Sequence, residues 1–89
     1  KNGYVVNAAN ILIHVFPNPA NDIATVQWEG NATTLMLTDV NGRIITALNI
    51  DDEEYQKAIA TNDIDAGIYF VTVFLSDGQQ LVTKLVVSR

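Results

Sequence analysis

The chain has 89 residues, 48% of them hydrophobic, with ten acidic against five basic side chains, a net charge of -5 and no cysteine. That length suits one domain burying only about 60% of the surface its unfolded chain exposes, and no apolar run nears the roughly 20 residues of a membrane span. The scattered cations Lys1, Arg43, Lys57, Lys84 and Arg89 give no clustered footprint for nucleic acid or an anionic membrane, and without Cys there is neither a disulfide framework nor thiolate chemistry.

Lys1 to Asn10 is a polar stretch containing Asn2-Gly3 and reads as a linker from an upstream region, with the folded domain spanning residues 11–89. The chain opens on Lys1-Asn2-Gly3 without an initiator Met or an export peptide, so a piece of a longer precursor is expected. Ile11 to Phe16 is a short apolar strand bounded by Pro17. Because Pro17 and Pro19 lack backbone donors and push the preceding residues into extended geometry, pairing must stop there or the chain must cross between sheets.

A second strand follows, with Ala24, Val26 and Trp28 on one face and Thr25 and Gln27 on the other, turning at Glu29-Gly30-Asn31. Thr33 to Val40 and Arg43 to Ile50 flank Asn41-Gly42, a strong hairpin signal that predicts a type I′ turn with positive φ at both residues. In the returning strand Ile44, Thr46, Leu48 and Ile50 alternate with Ile45, Ala47 and Asn49. Asp51 to Glu54 is an acidic turn, and Tyr55 to Thr61 an irregular strand. Gly67 opens the longest run, with Tyr69, Val71, Val73 and Leu75 on one face and Phe70, Thr72 and Phe74 on the other. Apolar residues on both faces predict a central strand. Asp77-Gly78 makes another tight hairpin, and Leu81 to Ser88 returns beside it. About seven short strands separated by turns predict an all-β, immunoglobulin-like antiparallel sandwich with Trp28 as its core plug and Tyr69 or Phe70 opposite.

Little in the sequence carries chemistry. His14 is the single histidine and shares its face with Leu12 and Phe16, which favours a partly buried or edge-strand residue over a nucleophile's base. One His and no Cys rule out a tetrahedral zinc site. Asp51-Asp52-Glu53-Glu54 and the Asp39-Val40-Asn41-Gly42 start of a calcium-like loop lack the further ligands such a site needs, so solvated turns are the stronger reading. Nearly every acid lies in a turn, which leaves no facing carboxylate pair for glycoside hydrolysis. Trp28, Tyr55, Tyr69 and Phe70 suit a core better than a sugar platform. Asn31-Ala32-Thr33 fits the N-glycosylation sequon, a pattern frequent by chance. No catalytic residue, cofactor or metal is expected.

Four blocks stand in order: Val15-Phe16-Pro17-Asn18-Pro19-Ala20, Asp39-Val40-Asn41-Gly42-Arg43, Asp65-Ala66-Gly67-Ile68-Tyr69-Phe70 and Lys84-Leu85-Val86-Val87. Together with the Asp77-Gly78 turn, their order and spacing resemble the type A C-terminal sorting domain of the Bacteroidetes type IX secretion system, over Val15 to Arg89. The family usually has Leu where Ile64 stands and a small residue or Pro where Asp65 stands, a minor departure. The resemblance implies an address and no enzyme: a module behind a secreted cargo, in transit through the periplasm, bound by shuttle proteins and the outer-membrane translocon. In many members a sortase-like cysteine peptidase then removes it, leaving the cargo at the cell surface or outside. It makes Pro17, Asn18, Pro19, Asp39, Gly42, Gly67, Tyr69, Asp77, Gly78, Lys84, Leu85, Val86 and Val87 the candidate signal residues. The other readings are an immunoglobulin-like adhesion or spacer domain and, behind it, a carbohydrate-binding module. A final strand at a sheet edge would offer free backbone groups to an added strand, with Lys84 as a charged contact or as a guard against aggregation.

Overall fold

The computed structural model describes residues 12–89; the linker expected over Lys1 to Asn10 lies outside the described residues. Seven strands follow in order: β1 (Ile13–Phe16), β2 (Ile23–Trp28), β3 (Ala32–Asp39), β4 (Ile44–Asn49), β5 (Gln56–Ala60), β6 (Gly67–Leu75) and β7 (Gln80–Val87). They form a three-stranded sheet in the order β1-β2-β5 and a four-stranded sheet in the order β4-β3-β6-β7, every pairing between named strands antiparallel.

Period-2 patterning decides which side chains meet between the sheets. From the three-stranded sheet come Ile13, Ala24, Val26, Trp28 and Ile59; from the other come Leu35, Leu37, Tyr69, Val71, Val73, Leu81, Leu85 and Val87, all buried. Trp28 is 4% exposed, as its alternation with Ala24 and Val26 predicts, and its Nε1 has no acceptor among the described residues. Tyr69, not Phe70, is the aromatic facing the core. Its hydroxyl donates to the carbonyl of Asp65 at 2.6 Å, a tie that locks the strand entry as the tyrosine corner does in immunoglobulin-like domains. β6 lies between β3 and β7, as its apolar residues on both faces predict.

The β3–β4 hairpin departs from the expected type I′ turn. Gly42 has φ +85°, whereas Asn41 has no positive φ; Glu53, at +69°, is the one described non-glycine residue that does. The loop is instead three residues, Val40-Asn41-Gly42, closed by Gly42 N–H to the Asp39 carbonyl and Asp39 N–H to the Arg43 carbonyl, both at 3.0 Å. The cause is Asp39, whose Oδ1 accepts from the N–H groups of Asn41 and Arg43 at 2.9 Å, making its own side chain part of the turn one residue earlier than an Asn-Gly pair would. The extra residue is absorbed by a bulge between Leu37 and Thr38, which leaves Ile44 outside and sends Ile45 toward the core, against strict alternation along β4. The β6–β7 hairpin repeats the device over Ser76-Asp77-Gly78, with Gly78 N–H to the Leu75 carbonyl at 3.0 Å and Asp77 Oδ1 accepting from Gln79 N–H at 2.9 Å.

Candidate functional site

The two prolines force the segment after β1 out of its sheet, and it crosses to the outer edge of β7. There Asn18, flanked by residues that cannot donate, uses its side-chain amide as a strand would use its backbone. Nδ2 donates to the Lys84 carbonyl at 3.0 Å, and Oδ1 accepts from Val86 N–H at 2.9 Å. Ala20 then bridges β7 in parallel, its N–H donating to the Val86 carbonyl at 2.7 Å and its carbonyl accepting from Ser88 N–H at 2.8 Å. Ala20 is fully buried.

This arrangement corrects part of the edge reading. β7 is an edge strand, but the outward groups of its second half are already bonded, because Lys84 O, Val86 N, Val86 O and Ser88 N are held by Asn18 and Ala20. Alternation in the antiparallel ladder leaves the outward groups of Gln80 and Val82 and the Lys84 N–H as the open part of that edge.

Arg89 ties the same end of the sandwich together. Its guanidinium donates to the carbonyls of Asn21 at 2.7 Å and Thr61 at 2.5 Å, and also to that of Ile64. The buried Thr61 adds its hydroxyl to the Asn21 carbonyl at 3.1 Å and its N–H to the Asp22 carbonyl at 2.8 Å.

The fold gathers most of the residues singled out in the sequence. Gly67 pairs with Val87, Tyr69 with both Leu85 and Asp39, and Phe70 with Lys84, so the Pro17-Asn18-Pro19 loop, the Asp39–Gly42 turn, the start of β6 and the end of β7 lie at one end. Asp77 and Gly78 do not join them; their turn is at the other end of β6. Tyr69, Leu85 and Val87 are buried, Val86 is half-buried, and Pro17, Asn18, Pro19, Gly42, Gly67 and Lys84 are exposed. Sequence reasoning missed Ala20 and Arg89. An Asn between two prolines was a legible signal for Asn18; nothing in the pattern around Arg89 announces its role.

The other candidates do not converge. His14 is exposed on β1 opposite Gln27. In the acidic turn, Glu54 accepts from Asp51 N–H at 2.8 Å and pairs with Lys57 at 3.2 Å. Among the described residues no group of His, Asp or Glu is placed to hold a metal ion, no pocket is present, and no helix is long and apolar enough to cross a membrane. Of the four aromatics of a sugar platform, Trp28 and Tyr69 are buried, while exposed Phe70 lies on the four-stranded sheet and exposed Tyr55 flanks the three-stranded one.

No match was found among curated proteins. Among solved structures, the chain is similar to PorZ of Porphyromonas gingivalis, described as an essential bacterial surface component of the type IX secretion system. The TM-score is 0.69 at 18% identity, covering 98% of this chain but only 13% of PorZ. A looser likeness, TM-score 0.48 at 16% identity over 84% of this chain and 94% of the other, is to CopC from Methylosinus trichosporium OB3b. At 18% identity the likeness to PorZ concerns the fold alone. Family comparison is more specific, since the model described as "Secretion system C-terminal sorting domain" matches residues 14–88, a range that takes in all four blocks and the Asn41-Gly42 and Asp77-Gly78 hairpins. The chain therefore belongs to the secretion system C-terminal sorting domains, a family of type IX secretion signals and not of enzymes.

Proposed function

We propose that this domain rides behind an exported cargo, crosses the periplasm with it, and is bound by shuttle proteins and by the outer-membrane translocon of the type IX system. A sortase-like cysteine peptidase then separates it from the cargo, which remains at the cell surface or outside. The observation that carries the reading is the convergence of sequence blocks far apart in the chain. Asn18 and Ala20 bond Lys84, Val86 and Ser88 across more than sixty positions, so the signature is a single folded object. A linear tag would not need this assembly; a receptor that reads a folded end does.

The test is a periplasmic reporter fused upstream of Lys1 and expressed in strains with and without the type IX translocon. Surface delivery should require both the domain and the translocon. Delivery without the domain, or equal delivery in the translocon-free strain, would refute the reading. Mass spectrometry of the delivered reporter would then show whether the domain has been removed; a delivered reporter that always retains it would exclude the peptidase step.

A further inference from the structure

Both outer sheet faces carry exposed apolar residues, but the four-stranded one sets a lysine among them. An antiparallel sheet with one face on the core normally turns polar residues outward. The three-stranded sheet does so only in part: His14, Gln27 and Gln56 form one cross-strand row, but the next is Phe16, Thr25 and Ala58, and Phe16 is 46% and Ile23 50% exposed. On the four-stranded sheet, Ile68 pairs with Val86, Phe70 with Lys84, and Met36 and Val82 flank Thr72 from either side. Ile68 is 45% exposed, Phe70 36% and Val82 42%. This is a contiguous apolar surface crossing three strands, of the kind that marks an interaction site.

One charge sits in it. Lys84 lies opposite Phe70, and no carboxylate pairs with it among the described residues. Of the chain's ten acidic residues, only Asp39 lies within a strand, at the end of β3, where it pairs with Arg43 at 3.4 Å. A second copy stacked sheet to sheet would therefore set no free strand carboxylate against Lys84, and burying an unpaired ammonium is costly. Self-association through this face is disfavoured, and a partner of different composition is required.

We propose that the outer face of the four-stranded sheet is the surface by which this domain is held during export, and that the partner is a protein presenting an apolar strip with a carboxylate opposite Lys84. The proposal rests on the sorting function and names the face that serves it. It differs from strand addition, which would use the open edge at Val82 and the Lys84 N–H, and from Lys84 as an edge guard. A guard works through charge alone and tolerates either sign; a carboxylate-receiving contact tolerates Arg and rejects Glu.

The experiment uses the whole domain fused behind the periplasmic reporter in a strain carrying the type IX system, with each variant's melting temperature measured alongside. Lys84→Arg should deliver like the parent. Lys84→Glu should lose at least about tenfold of surface reporter with unchanged melting, the size expected for reversing a paired interfacial charge. Ile68→Ser and Phe70→Ser should each lower delivery, while Thr25→Glu on the other sheet should not. Equal delivery by the Lys84→Glu and Lys84→Arg variants would overturn the proposal. So would loss of delivery in a Val82→Pro variant with Ile68→Ser and Phe70→Ser unaffected, which would identify strand addition. Sedimentation showing a dimer of the domain that Lys84→Glu dissolves would place a second copy on the face and also overturn it. Delivery of a reporter lacking the domain altogether would instead defeat the sorting reading itself, an outcome separable from all of these.

Discussion

Asn18 is the residue whose removal reports most directly on how β7 is held. Asn18→Ala deletes the donor to the Lys84 carbonyl and the acceptor for Val86 N–H. Each hydrogen bond is worth a net 0.5 to 1.5 kcal/mol or so. Asn18 is exposed, so water replaces part of both, and the loss should fall near the lower half of their sum, about 1 to 2 kcal/mol. For a domain of this size that lowers the melting temperature by roughly 4 to 16 °C. Stability alone would not locate the effect. Amide hydrogen exchange would, because Val86 N–H points away from β6 and its acceptor is the Asn18 side chain. In the Asn18→Ala variant Val86 should exchange faster, while Leu85, bonded inward to β6, changes less. Asn18→Asp retains an acceptor for Val86 but sets a carboxylate against the Lys84 carbonyl, so it should protect Val86 and still destabilise the domain. Unchanged Val86 exchange in Asn18→Ala would refute the clasp.

Three further outcomes follow from the core, the hairpin and the acidic turn. Trp28→Ala should cost about 3 to 5 kcal/mol in denaturant unfolding, a large part of the stability of so small a domain, and a variant as stable as the parent would remove Trp28 from the core. Gly42→Val should lower the melting temperature although no atom lies within 4 Å of the added Cβ, because the residue sits at φ +85° where a β-branched side chain is disfavoured; unchanged melting would reject the turn geometry. The Glu54 carboxyl is held below its ordinary pKa, first by the Asp51 N–H and then by Lys57, so its contribution to stability is present above the unfolded-state pKa and lost as pH falls through the folded one. Glu54→Gln should accordingly flatten the acid limb of a melting-temperature profile while leaving the slope near neutral pH unchanged, and an unaltered acid limb would contradict that linkage.

How far the sequence could be read depended on whether local physics set the outcome. The faces of β2 and β6 were legible because alternation is imposed by the pleat, and burial of Trp28, Val26, Tyr69, Val71 and Val73 follows from it. The position of the β3–β4 hairpin was legible from Asn41-Gly42, but its form was not, since Asp39 competes for the turn amides and shifts the loop by one residue. The candidate end was legible only as separate blocks. Their meeting depends on Asn18 reaching β7 and Arg89 reaching three carbonyls in two loops, contacts between positions remote in sequence that periodicity does not encode.

The covered edge of β7 also changes what a partner can touch. To add a strand along Lys84 to Ser88, a receptor must first break four hydrogen bonds from Asn18 and Ala20, and Ala20 is buried in the process of making them. The side chains of Lys84 and Val86 need no such opening, because they point out of the sheet beside Phe70 and Ile68. Leu85 and Val87 point the other way, into the core. A receptor meeting the folded domain can therefore touch only alternate side chains of Lys84-Leu85-Val86-Val87, while the intervening two, like Tyr69, are packed in the core. Loss of export on changing Leu85 or Val87 would arise through unfolding and should track melting temperature; loss on changing Lys84 should not. That separation follows from the period of the strand, and it makes the block divisible by experiment although it is continuous in sequence.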